Sequence, residues 1–280
     1  MGKIYSSFEI KNMIDRAMTA QEAKNKLLEM MIAFDSFCHQ NNLTYYLSCG
    51  TLLGAVREHG FIPWDDDADI MMPREDYNRL NTYTKIGDSI DIVSIVDDCG
   101  YYHPFAFTKL SDNTTVSLIQ DSERNTGRGQ FIDIFPLDSI PDSDAEKKRL
   151  LNKLKMMHRL RTIGVRKYQG GVQGIPRNTL TFLLRPFSGL WFMRRIDKTA
   201  RRYSDDDTKK IGLLCYTTKD SYCWERSDFQ SVSRVCYETA YLDIPAGFDS
   251  ILMHQFGNYM QPPSLEERIP KHDVTMWWKK

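Results

Sequence analysis

The sequence predicts an α+β fold: a mixed β-sheet flanked by helices, followed by a mostly helical, basic C-terminal part. Three observations carry this expectation. Short apolar runs with strand character are interspersed with brief helical stretches between residues 43 and 144. Beyond Asp144 the apolar spacing turns mostly helical. The charge changes sign at the same place: Asp65 to Asp144 is acid-rich, whereas Lys147 to Arg202 holds 16 Lys+Arg and a single acid, Asp197.

The N-terminal segment, residues 1–42, reads as helical. Ile10, Ile14, Leu27, Met30, Met31, Phe34 and Phe37-Cys38 recur at helical spacing, and Asn41-Asn42 marks the end. Residues 43–144 form the predicted catalytic core. Tyr45-Tyr46-Leu47 reads as a short buried strand that turns at Gly50-Thr51 into a brief helix closed by Gly60. Asp67 to Met72 reads as a strand stopped by Pro73, and Arg74 to Tyr83 as a helix. Ile90–Val96, Phe105–Leu110, Thr114–Ile119 and Phe131–Phe135 follow as strands, the last ended by Pro136. Residues 145–280 form the third part, predicted to close the site, with a loop from Gly170-Gly171 to Pro176 and a helix near Asp249–Phe256.

At 280 residues, 41% hydrophobic and 26% charged, the composition is that of a globular protein. The 37 Lys+Arg balance 37 Asp+Glu, which argues against a general nucleic-acid binder. Six cysteines without a CxxC pair read as reduced thiols in a cytoplasmic protein. A zinc site from Cys215, Cys223 and Cys236 is the alternative, and it lacks close ligand pairs. The polar N-terminus predicts no secretory signal, and no run of 18 apolar residues predicts a transmembrane helix. Met-Gly-Lys-Ile-Tyr-Ser fits the loose myristoylation pattern by chance, and the sequon Asn113-Thr114-Thr115 has no meaning without secretion.

The chemistry concentrates in Trp64-Asp65-Asp66-Asp67-Ala68-Asp69-Ile70. On a strand, residues two apart share a face, so Asp67 and Asp69 aim two carboxylates at one point. Rigid paired carboxylates suit Mg²⁺, which takes hard oxygen ligands and phosphate oxygens together. Gly50-Thr51 lets a phosphate approach a helix N-terminus. Asp133 sits inside the apolar strand Phe131–Phe135, where an unpaired carboxylate is costly. It either completes a metal site or takes the proton of an attacking hydroxyl. An EF-hand is rejected: its sixth position, a glycine in such loops, is Ile70, and its twelfth is Asp76. A purely acidic turn explains Asp65 and Asp66, but not Asp69 and Asp133 among apolar neighbours.

Gly50-Thr51-x-Leu53-Gly54-x-x-Arg57, with Ile62-Pro63-Trp64-Asp65-Asp66-Asp67-x-Asp69, resembles the central motif of the LicD family, a branch of the polymerase-beta-like nucleotidyltransferase superfamily. The likeness continues in Phe131 to Asp138 and, more weakly, in Phe256 to Met260, Pro263, Arg268 and His272. Ala68 and Phe256 depart from the pattern, and residues 147–203 match no motif.

The resemblance implies a nucleotidyltransferase-like core and transfer of phosphocholine from CDP-choline to a hydroxyl of a cell-surface glycan, with release of CMP. It implies that Asp67 and Asp69 hold Mg²⁺ (Mn²⁺ is the alternative ion) and that Asp133 completes the site. Gly50, Thr51 and Arg57 would contact the donor phosphates, Arg74 and Lys109 would neutralise charge, and His272 would touch substrate or merely pack its loop. Other CDP-alcohols (ethanolamine, glycerol, or ribitol as in fukutin-like relatives) remain open, as does transfer of the nucleotide itself. A third alternative is a non-catalytic binding protein, disfavoured because carboxylates converging without a cation would repel one another.

Choline would need aromatic faces, and Trp64, Tyr101, Tyr102, Trp224, Trp277 and Trp278 are available. Residues 177–195 interleave apolar residues with arginines around a helix-breaking Pro186. They read either as helices packed on the core or as a peripheral contact with the inner face of the membrane.

Overall fold

The computed structural model describes residues 7–94, 105–118, 127–164, 175–184, 190–204, 207–268 and 275–280. At the N-terminus, helices α1 (Ser7–Met13) and α2 (Ala20–Gln40) flank a strand, β1 (Ile14–Ala17). Helical spacing alone misses β1, which exists because it pairs with β13 (Thr275–Lys279) at the other end of the chain. α2 starts on a capping box between Thr19 and Glu22 and buries Leu27, Met30, Met31, Phe34 and Cys38. Those steps of three and four residues are the helical period seen in the sequence.

The next elements build the main sheet. β2 (Tyr46–Leu47) leads into α3 (Cys49–Arg57), and β3 (Asp69–Pro73) into α4 (Arg74–Leu80). Then come β4 (Lys85–Ile86), β5 (Ile90–Val93), β6 (Thr108–Asp112), β7 (Thr115–Leu118) and β8 (Phe131–Ile140). The eight-stranded sheet runs β10-β9-β8-β6-β5-β4, with β3 on the remaining edge of β8 and β2 on β3. Here β9 is Lys210–Gly212 and β10 is Cys223–Glu225. β3 pairs with β8 in parallel while the neighbours are antiparallel, so the sheet is mixed. β7 stands apart and pairs with β13.

β8 corrects one expectation, because it runs through Pro136 to Ile140. The Asp133 N–H donates to Ala68 O, on the β3 side, at 3.0 Å. Pro136, three residues on, therefore turns its nitrogen to the opposite side. On that side β6 pairs only as far as Ile134, and β9 begins at Asp138. The missing N–H falls in the gap, where no ladder bond is lost. A second shift is at the acidic loop: β3 begins at Asp69, so Asp67 lies just before the strand.

Beyond β8 the chain forms α5 (Asp144–Gly164), α6 (Ile175–Leu184) and α7 (Leu190–Ala200). The Pro186 break falls between α6 and α7, in residues 185–189, outside the described residues. The hairpin β11 (Val232–Tyr237) and β12 (Ala240–Pro245) precedes α8 (Phe248–Phe256). The main core joins distant parts of the chain: Leu27 and Phe34, Leu52, Ile70 and Met71, Ile132 and Ile134, then Ile244 and Leu252. A smaller core packs Ile140 and Leu154 with Phe192, Met193 and Ile196 of α7. Among the described residues, no helix is long and apolar enough to cross a membrane.

Candidate active site

The site is built on one row of the sheet. Asp69 of β3 is the cross-strand partner of Asp133 of β8, and Asp133 is the partner of Lys109 of β6. Directly paired residues project to the same face, so two carboxylates and an ammonium stand side by side. Lys109 Nζ lies 2.5 Å from Asp133 Oδ1 and 3.7 Å from the Phe131 ring centre. Burial pushes the Asp69 carboxyl well above the usual carboxylate range. Asp67, Asp133 and Asp65 push the same way, and Lys109 opposes them.

Immediately before the row, the carboxylate oxygens of Asp65, Asp66 and Asp67 lie within 4.8 Å of one another. The start of α3 braces this loop. Thr51 Oγ1 accepts a hydrogen bond from the Asp69 N–H at 2.9 Å. A Cβ at position 50 would sit 2.5 Å from Asp65 Oδ2, so glycine here admits the Asp65 carboxylate to the helix N-terminus. Sequence reasoning gave that space to a phosphate and read Asp65 as a plain turn residue. No local signal marks the contact, because Gly50 and Asp65 meet only through the tertiary fold.

A cleft of about 570 Å³ opens over Asp65, Asp67 and Asp69, while Asp133 and Lys109 are not in its lining. Gly50, Arg57, Asp65, Asp67 and Asp69 line it, with Tyr216, Tyr222 and Tyr259 from the C-terminal third. Arg57 is pinned between Glu58 Oε1 and Tyr259 O, at 2.8 and 2.9 Å. Burial pushes the Tyr222 hydroxyl up to about 12 and the Tyr216 hydroxyl upward as well, so both stay protonated donors at neutral pH. Neither tyrosine carries a signal in the sequence around it.

One expected participant sits elsewhere. Arg74 is buried beneath the sheet, not in the cleft, and forms a fork on Asp138 through Nε and Nη2 at 2.6 and 2.8 Å. Its Nη1 reaches Asp197 Oδ1 at 2.8 Å. A guanidinium so committed, buried and outside the lining of the cleft, is a structural partner. His272 lies outside the described residues, as do Tyr101 and Tyr102. Cys215 is buried beside Arg74 and Asp138, while Cys236 is exposed on β11. Among the described residues, the three cysteines form no metal-ligand cluster. Trp224 is buried, and Trp278 faces Arg16 and Lys26 on the small sheet.

A carboxylate row beside a polar cleft is the geometry of a candidate active site. Residues 42–162 match the family model described as LicD/FKTN/FKRP, nucleotidyltransferase domain. Along most of its length it is similar to the lipopolysaccharide cholinephosphotransferase LicD of Haemophilus influenzae. The two are 26% identical over 271 residues, which cover 92% of this chain and 97% of the relative. Two other similarities are local. An uncharacterized protein of Rickettsia prowazekii is 46% identical over 54 residues, 19% of this chain and 20% of the relative. Mannosyltransferase regulator 4 of Saccharomyces cerevisiae is 31% identical over 147 residues, 49% of this chain and 12% of the relative.

Proposed function

We propose that this chain transfers phosphocholine from CDP-choline to a hydroxyl of a cell-surface glycan or its lipid-linked precursor, releasing CMP. The observation that carries the reading is the Asp69–Asp133–Lys109 row, whose Asp69 lines the cleft together with Asp65 and Asp67. Similarity to a lipopolysaccharide cholinephosphotransferase over nearly the whole chain supports the choice of group and acceptor. In balance, the acceptor oxygen bonds to the choline-bearing phosphorus, the phosphoanhydride bond breaks, and CMP leaves with its electron pair. The hydroxyl proton passes to a carboxylate, and Asp133 is the candidate.

The donor set fits Mg²⁺, or Mn²⁺ in its place, since hard carboxylate oxygens crowd together beside Lys109. Asp67, Asp69 and Asp133 would hold the ion, which when bound neutralises diphosphate charge. Lys109 positions Asp133 through their ion pair. Tyr216 and Tyr222, as hydroxyl donors lining the cleft, suit the nonbridging phosphate oxygens, whereas the Tyr259 hydroxyl donates to Asp249 Oδ1. In this reading the core has a nucleotidyltransferase-like fold, and residues 1–42 and 145–280 flank it.

The cleft is also compatible with moving the nucleotide itself, or another phospho-alcohol. One experiment separates these: purified protein with CDP-choline, Mg²⁺ and an extract of glycan or glycolipid acceptor. Release of CMP with labelled glycan supports the proposal, and cytidylylated acceptor would replace it with nucleotidyl transfer. Zero net charge argues against nucleic acid as the acceptor.

We further place the enzyme in the cytoplasm, touching the inner face of the membrane through residues 177–195. α7 buries Phe192, Met193 and Ile196 in the smaller core, as the packed reading expects. Yet Phe182 and Leu183 of α6 are 68% and 60% exposed, with Trp191, Arg194 and Arg195 exposed on α7. Apolar side chains flanked by arginines suit an anionic lipid surface. Co-sedimentation with liposomes should rise with anionic lipid content, and indifference to it would remove this contact.

A further inference from the structure

A second cavity, of about 340 Å³, lies on the other side of the acidic loop, between the start of α2, residues 63–67 and β13. It shares Trp64, Asp65 and Asp67 with the larger cleft, whereas Asp66 lines this cavity and not the cleft. We infer that this cavity receives a quaternary ammonium group, the trimethylammonium end of the donor. The inference rests on the phosphocholine reading above and goes further, by locating the head group and assigning its selectivity. A donor with its diphosphate at the shared acids would send its nucleotide into the larger cleft and its alcohol into the smaller.

The charge of the cavity selects a cation. Three carboxylates crowd one wall. Lys24, which also lines it, holds its ammonium on the carbonyls of Ile62 and Pro63, at 3.2 and 3.0 Å. Gln130 is buried to 2% exposure, and its Oε1 has no hydrogen-bond partner among the described residues. An unpaired acceptor in the cavity wall adds negative polarity beside the carboxylates, the sign that a cation requires.

The remaining walls select a methylated cation. Met18, Ala20, Ala23 and Met276 are apolar. A trimethylammonium donates no N–H and sets its methyl groups against these walls, while a primary ammonium or a polyol, paired only on the acidic side, would turn its other donors toward them. Trp64 and Phe131 add ring surface; each already takes a protein cation on one face, Arg268 at 5.2 Å and Lys109 at 3.7 Å, and each ring has a second face.

Two substitutions test this without touching the Asp69–Asp133–Lys109 row. Ala23→Leu fills the cavity from α2, and Asp66→Asn removes the charge that faces this cavity alone. Initial rates of CMP release are measured with CDP-choline, CDP-ethanolamine and CDP-glycerol, and choline binding is followed by saturation-transfer NMR. Wild type should prefer CDP-choline, and Ala23→Leu should raise its KM by about tenfold or more, the scale of added carbon in a fitted pocket. Asp66→Asn should raise KM for the two cationic donors and leave CDP-glycerol unchanged. Choline should bind wild type and be lost from Ala23→Leu, with thermal unfolding confirming that the variant is folded. Unchanged donor ratios in both variants of an enzyme that uses CDP-choline would overturn the inference and leave the transferase reading standing. If no CDP-alcohol is turned over, that reading fails by itself, and the NMR experiment decides whether the cavity takes the ammonium.

Discussion

Arg74→Met should cost stability and leave donor binding in the cleft almost untouched. Arg74 is 8% exposed, and its partner Asp138 is fully buried. Both Asp138 oxygens accept from the guanidinium, at 2.6 and 2.8 Å, so the substitution strands an ionised carboxylate in the core. Breaking a buried pair from one side costs about 3–5 kcal/mol. For a chain of this size each kcal/mol moves Tm by about 2–4 °C, so the drop should be roughly 6–20 °C. Replacing Asp138 as well, in Arg74→Met/Asp138→Leu, removes the stranded charge and should recover most of the loss. Calorimetry gives Tm, and donor KM is measured at a temperature where the single variant is still folded. A Tm within about 2 °C of wild type, together with a large rise in donor KM, would refute this reasoning and return Arg74 to the phosphate site.

Other consequences are as direct. Gly54→Ala drives a Cβ into the Gly60 carbonyl, a backbone atom that cannot step aside, and should destabilise by about 1–3 kcal/mol in a denaturant titration. Burial and Arg161 hold His158 down to about 4, against an ordinary 6.5. The unfolded chain therefore takes up this proton first, so stability is full above pH 6.5 and declines by up to about 3 kcal/mol as pH falls toward 4. His158→Leu should flatten that part of the Tm–pH curve, and an unchanged slope would deny His158 the role. Glu22 is held down to about 2 by Arg16 and by the Thr19 cap of α2. Its contribution should persist at neutral pH and fade as pH falls from about 4.5 to about 2, and Thr19→Ala should cost about 1 kcal/mol. An unchanged melting curve for Thr19→Ala would contradict the cap.

The sequence reveals the parts of the site where a residue violates its surroundings. Asp69 and Asp133 stand out because carboxylates interrupt apolar strands, and the structure sets them opposite each other in register. Lys109, in Phe107-Thr108-Lys109-Leu110, is a candidate only through the family resemblance, and it falls next in the row. Arg74 misleads by the same logic. It is a lone cation after a strand, and nothing local reveals that Asp138, 64 residues away, is waiting beneath the sheet. Periodicity finds α2 and α8 but not β1, whose partner lies at the other terminus. Pro136 looks like a strand end because the offset between β6 and β9 is a property of the sheet. Asp65 against Gly50, the cleft tyrosines and the second cavity are likewise meetings of distant segments, which a one-dimensional pattern does not contain.

The most direct test of the account follows phosphorus through the reaction. ³¹P NMR of wild type, Asp69→Asn and Asp133→Asn is recorded with CDP-choline, Mg²⁺ and the glycan acceptor. Wild type should convert the diphosphate into CMP and a phosphodiester on the glycan, and both variants, folded by circular dichroism, should leave CDP-choline intact. Turnover by either variant at the wild-type rate, or CMP found attached to the glycan with phosphocholine set free, would contradict the account.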